Sequence, residues 1–198
     1  FYQSDNLKGR SYDTFVMKRD LFDDFDLSIN TSNWLATGGT QNLGMNNQID
    51  FDNAVTSYNS AANWNVSFAR ATASLTSGEV AVAHVRLSGA SAQGEVGLVN
   101  GGQFVGITLQ GNTAVASNGT TLLTNFIKDE WYGIMIFLDA TNGTRVRIWQ
   151  LDDPNTINGV VISGVGSGNW TFRDRVNNGT IWLDSYMEGV PYSETRTS

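Results

Sequence analysis

Residues 131–151 read WYGIMIFLDATNGTRVRIWQL. The stretch opens on an apolar run, Trp131 to Leu138, of the length and composition of a buried strand. Asn142-Gly143 follows, a pair with strong preference for the type I′ turn of a hairpin. Arg145 to Leu151 then alternates, with Val146 and Ile148 on one face and Arg145, Arg147 and Trp149 on the other. The pattern predicts a β-hairpin with strands over 132–138 and 144–150, Val146 and Ile148 buried, and the two arginines and the tryptophan pointing away from the core.

The same period of two spreads outward from this hairpin. From Glu79 to Leu87, Ala81, Ala83, Val85 and Leu87 fall opposite Val80, Val82, His84 and Arg86. Trp64 to Leu75 alternates as well. Gly94–Val99, Gln103–Leu109, Thr113–Ala116, Val160–Ser163, Thr171–Arg175 and Thr180–Met187 read as further strands, with turns at Asn118-Gly119 and Asn178-Gly179. No segment holds a helical period. About twelve strand candidates at short, regular spacing are the signature of a sandwich or barrel. The expectation is all-β: a two-sheet antiparallel jelly-roll sandwich, with residues 1–198 forming one domain excised from a longer extracellular protein.

Composition agrees with this class. The chain has 198 residues, 40% of them hydrophobic and only 16% charged, with 21 Gly and 2 Pro. That is enough apolar material for one sizeable core. The formal net charge of −7 and the scattered Lys and Arg exclude a nucleic-acid surface, which needs clustered cations. There is no cysteine, hence no disulfide, thiolate nucleophile or cysteine-zinc site. No run approaches the ~18 apolar residues of a membrane-spanning helix, so membrane insertion is not expected. A surface of Asn, Thr, Ser and Gly suits an extracellular or cell-surface setting.

Three segments resemble concanavalin A-like lectin/glucanase domains, a group that includes laminin-G-like modules. They are Leu21-Phe22-Asp23-Asp24-Phe25-Asp26 followed by Trp34, the hairpin Trp131-Tyr132 through Trp149, and the closing Ile181-Trp182-Leu183-Asp184-Ser185-Tyr186. The resemblance implies that the last strand lies beside the first, and that Trp34, Trp131 and Trp182 are core residues. It also implies that a structural calcium ion could be held where Asp23 or Asp24 meets Asp184, with Asp24 and Asp184 the candidate metal ligands.

The chemistry-bearing residues narrow the function. Glycosidases need two carboxylates about 5–9.5 Å apart. The glucanases of this fold class place them on a Glu-x-Asp-x-Glu strand, and the five glutamates here, Glu79, Glu95, Glu130, Glu188 and Glu194, never take that spacing. His84 is the only histidine, which rules out a multi-histidine metal site. It shares a strand face with Arg86. No Gly-x-Ser-x-Gly elbow is present. Aromatic side chains stack on the apolar faces of sugar rings, and neighbouring polar groups read the hydroxyls. Trp149 beside Arg147, and Trp170 in the Gly-rich segment 166–170, are the tryptophans least needed for packing. The expectation is therefore a non-catalytic glycan-binding or adhesion module. His84, Arg86, Arg147, Trp149 and Trp170 form its ligand-binding set, no residue is assigned a catalytic role, and the partner is a glycan or cell-surface ligand. A polysaccharide lyase or glycosidase using His84 and Arg86 or paired aspartates is the alternative, and a structural spacer or filament-forming surface domain is a third.

Overall fold

The structure, a computed structural model, describes residues 16–23, 32–37, 40–42, 56–60, 66–71 and 75–192. They form two antiparallel sheets. The larger runs β13 (Asn158–Ile162), β12 (Thr144–Gln150), β11 (Trp131–Phe137), β6 (Val80–Ser88), β15 (Gly179–Tyr192), β4 (Thr56–Ser60) and β3 (Thr40–Asn42). β1 (Val16–Asp23) pairs with the second half of β15, beyond the reach of β4. First and last described strands are thus neighbours. The smaller sheet runs β10 (Thr121–Leu123), β9 (Thr113–Ala116), β8 (Gln103–Gln110), β7 (Gln93–Asn100), β14 (Thr171–Asn177), β5 (Val66–Arg70) and β2 (Trp34–Thr37). One turn of 3-10 helix, Pro154–Thr156, is the only helical element among the described residues. The chain is an all-β antiparallel sandwich.

The alternating strands face as their patterns dictate. In β6, Ala81, Ala83, Val85 and Leu87 are buried; in β12, Val146 and Ile148 are. They pack against Val96, Leu98, Val105, Ile107 and Leu109 of the smaller sheet in one continuous core. β11 pairs with β12 from Tyr132 opposite Gln150 to Phe137 opposite Arg145.

Two of the Asn-Gly pairs, Asn142-Gly143 and Asn178-Gly179, behave differently from the tight hairpin turns they predict. Between β11 and β12 the chain takes six residues, 138–143, and only Gly143 has positive φ. Asp139 organises this loop: its carboxylate accepts from the backbone amides of Thr141 and Asn142 and from the Asn142 side chain. Those bonds to Asn142 hold the Asp139 carboxyl below its usual pKa. A capped longer loop has displaced the type I′ turn. At Asn178-Gly179 there is no hairpin at all. β14 belongs to one sheet and β15 to the other, and Asn178 alone, at φ 54°, turns the corner between them. Asn tolerates this left-handed conformation better than most residues. A side chain at the following glycine would overlap Ala92 and the Ser88 carbonyl.

Among the described residues, charged side chains are enclosed in the sandwich at two places. Arg70 of β5 donates from Nη2 to Glu188 Oε1 of β15 at 2.9 Å, both side chains being about 5% exposed, so an ion pair bridges the two sheets. Tyr186 donates to the other Glu188 oxygen at 2.6 Å, and Arg70 Nη1 donates to the Asn33 carbonyl at 2.7 Å. The second is Asp174 of β14. It is fully buried, and the backbone amides of Phe68 and of Asp174 itself act on its carboxylate in the opposite sense to burial. Burial pushes its pKa up from 3.8 to about 8.

Breaking a buried ion pair leaves an uncompensated charge, at about 3–5 kcal/mol. Glu188→Ala is expected to lose stability on that scale in denaturant titration. A loss near zero would show that Arg70 reaches water when its partner is removed.

Candidate functional site

The face of the larger sheet turned away from the core collects most of the sequence-identified residues, in four rows set by register. Trp182, Arg86 and Trp131 lie in the first row, across β15, β6 and β11. Ser185, His84, Gly133 and Trp149 form the second, which reaches β12. Met187, Val82, Met135 and Arg147 form the third; Gly189, Val80, Phe137 and Arg145 form the fourth. His84, Arg86, Arg147 and Trp149 are each partly exposed here.

Arg86 is flanked on both sides. Its guanidinium carbon lies 5.1 Å from the Trp131 ring centroid and 5.0 Å from that of Trp182, within the range of cation–π attraction. Its Nε is enclosed and has no hydrogen-bond acceptor among the described residues. Trp182 Nε1 donates to Ser88 Oγ at 3.2 Å, fixing that ring. On the other side, Trp149 lies over Gly133. Any β-carbon at residue 133 would overlap the indole, so the glycine is what gives the ring its seat on the sheet. Three tryptophans thus share this face.

His84 Nδ1 and Ser185 Oγ are 2.9 Å apart. Burial lowers the His84 pKa from 6.5 to about 4, so the imidazole is neutral near pH 7. Ser185 reaches His84 because of a bulge in β15. Leu183 sits opposite Val85 and Ser185 opposite His84, so Asp184 is an extra residue between them. Below the bulge, the inward residues switch from Ile181 and Leu183 to Tyr186 and Glu188, while Ser185 and Met187 turn outward.

Two assignments made from sequence change. Trp170 is not a loop aromatic available to ligand: it is fully buried, paired in an isolated bridge with Leu75, and its Nε1 donates to the Ser167 carbonyl at 2.9 Å. The glycines before it, Gly164, Gly166 and Gly168, all at positive φ, allow the segment to fold the ring inward. Trp131 and Trp182, expected in the core, are instead the two rings that flank Arg86, and only Trp34 of that trio is a core residue. Of the two candidate calcium ligands, Asp184 is the partly exposed bulge residue, and Asp24 lies outside the described residues. Among the described residues no three His, Cys, Asp or Glu side chains come together as a metal site.

No family model matches the sequence, and the search of curated proteins finds no relative. Solved structures do match. A Crh5 transglycosylase superposes with a TM-score of 0.62 at 10% identity, over 86% of this chain and 83% of its own. The chain has the concanavalin A-like jelly-roll fold. A β-1,3-glucanase from Mycobacterium marinum matches with a TM-score of 0.54 at 13% identity, over 86% of this chain and 98% of its own. Rv0315 of Mycobacterium tuberculosis, described as an immunostimulatory antigen and pseudo β-1,3-glucanase, matches with a TM-score of 0.57 at 11% identity, over 88% and 99%. At these identities the likeness is one of fold.

Two titrating groups, the buried Asp174 and the partly buried His84, give the protein a defined pH response. Asp174, raised to about 8, contributes stability that is complete below pH 4 and is lost as pH rises towards 8. His84, lowered to about 4, acts in the opposite sense: its contribution is complete above pH 6.5 and is lost as pH falls towards 4. The two oppose each other between pH 4 and 6.5, and above 6.5 Asp174 acts alone. Tm is expected to fall from pH 6.5 to 8 in the native chain and to stay level over that interval in Asp174→Asn. Equal slopes in the two proteins would refute the assignment to Asp174.

Proposed function

We propose that this chain is a saccharide-binding module of an extracellular or cell-surface protein, engaging a polysaccharide on the outward face of its larger sheet. The observation that carries the reading is the placement of Trp182, Trp131 and Trp149 on that one face, interleaved with Arg86, His84 and Arg147. Large rings between hydrogen-bonding groups are what a sugar with apolar faces and polar edges requires. The seat at Gly133 supports it further, because a ring needed only to fill space does not require a side-chain-free position beneath it. The solved structures of like fold add to the support: their names are those of a transglycosylase and glucanases, and the transglycosylase has also been solved with NAG.

Those same names favour a second reading, a carbohydrate-active enzyme. The carboxylate inventory weighs on the other side. β6, β11, β12 and β13 carry no Asp or Glu, and β15 brings Asp184 beside the face while its Glu188 is buried in the core. A two-carboxylate glycosidase therefore finds no pair on these five strands. A lyase would use His84 and Arg86.

A glycan array, run with and without calcium and followed by a product assay on each hit, separates the readings. Binding without product is the expected result; product formation would replace the module with the enzyme. On the best ligand, Trp149→Ala should weaken binding about tenfold, the scale of one lost aromatic stack. Gly133→Ala should do the same by displacing the ring while leaving Trp149 in the sequence. An array with no binder would leave the spacer reading in front.

A further inference from the structure

The outward positions of β6, β11 and β12 are cationic in an acidic protein. The chain has 19 acidic and 12 basic residues. Yet the charged residues of β6, β11 and β12 are Arg86, Arg145 and Arg147, with no carboxylate among them. None of the three forms an ion pair among the described residues, though Arg145 acts electrostatically on the nearby Asp139 carboxylate. The ion pairs there join Arg70 to Glu188 and both Arg173 and Arg175 to Glu95. Arg145 lies over the Phe137 ring, 5.6 Å from its centroid, and Arg147 borders a shallow depression with Gly159 and Val161.

Arg86 is the strongest of the three. Its guanidinium is held between two indoles, half-buried, with an enclosed Nε–H that lacks an acceptor. A cation drawn partly out of water with neither a carboxylate nor a full set of acceptors carries a desolvation cost. The indoles offset part of it, and an anion offered by a ligand would offset the rest. Arg in such a setting suits the planar geometry of a carboxylate or the oxygens of a sulfate. Arg86 and Arg147 sit two strands apart and four residues apart along β11, about 16 Å by strand geometry. No single small anion meets both, whereas a chain bearing repeated charges does.

We infer that the ligand is an anionic polysaccharide, with one ring's carboxylate or sulfate bound at Arg86 between Trp131 and Trp182 and a later charged unit at Arg147. This rests on the reading of the face as a saccharide site and adds the class of saccharide. The neutral His84 beside Arg86 fits it, since it adds no charge and can donate or accept a hydrogen bond to a hydroxyl.

The test compares matched polymers by calorimetry at low and high salt: polygalacturonate against its carboxyl-reduced form, and dextran sulfate against dextran. The charged member of at least one pair should bind about tenfold or more tightly than its neutral counterpart, as expected for a hydrogen-bonded charge, and the advantage should shrink with salt. The pair that shows the difference identifies carboxylate or sulfate. Arg86→Gln should abolish the preference while leaving the far-ultraviolet circular dichroism unchanged, and Arg86→Lys should restore only part of it. Equal binding of charged and neutral polymers, or an undiminished preference in Arg86→Gln, would overturn the anionic assignment and leave the saccharide site standing. If neither these polymers nor any array glycan binds, the site itself falls and this inference with it.

Discussion

The Arg70–Glu188 ion pair sets the relation between the two sheets. A carboxylate and a guanidinium from opposite sheets, both nearly inaccessible, tolerate little change in spacing, because any gap leaves a charge buried without its counter-ion. Aromatic side chains close around them. Trp34 stacks on Phe68 at 4.6 Å, meets Tyr186 edge-on at 5.1 Å and lies 5.5 Å from the Arg70 guanidinium; Tyr186 also packs against Phe172 at 4.5 Å. The Tyr186 hydroxyl spends its proton on Glu188, and burial together with that neighbouring carboxylate raises its pKa well above the ordinary value. An apolar substitute could fill the volume, but the charged pair demands one register between β5 and β15.

That register requires the bulge. Glu188 and Tyr186 point inward only because one extra residue, Asp184, shifts the parity of β15 after Leu183. The same shift brings Ser185 to His84 on the opposite face. A core interaction and an outward-face contact are therefore consequences of a single inserted residue, and neither can be re-registered without the other. This also explains why a 14-residue strand can serve two different neighbours along its length, β4 before the bulge and β1 after it.

Period-two alternation was sufficient where strands are regular. It placed the inward sets of β6 and β12, and hence the outward position of His84, Arg86, Arg147 and Trp149; that the two strands share a sheet comes from β11 pairing with both. It failed where parity breaks or where chain context outweighs residue type. Straight alternation from Ile181 would bury Ser185 and Met187 and expose Tyr186 and Glu188, so the inter-sheet ion pair was hidden in the sequence. Trp170 sits among glycines and polar residues, a loop composition, but those glycines are what fold its ring into the core. Trp131 and Trp182 begin or occupy apolar stretches, and nothing local says that their rings turn outward. Register supplies that information, since both align with Arg86, and register is a property of paired strands rather than of any one of them.

Gly133 has a consequence for sequence comparison. The position lies in an apolar strand where β-branched residues would be favoured on propensity alone, and glycine there weakens the strand. Its presence is explained by the indole it accommodates. The two positions should therefore vary together. In a divergent sequence of this fold, a side chain in place of the glycine means that no flat ring can lie across the strand, whatever residue stands at the position of Trp149. The glycine, rather than the tryptophan, is the more discriminating marker for recognising which distant sequences keep an aromatic platform on this face.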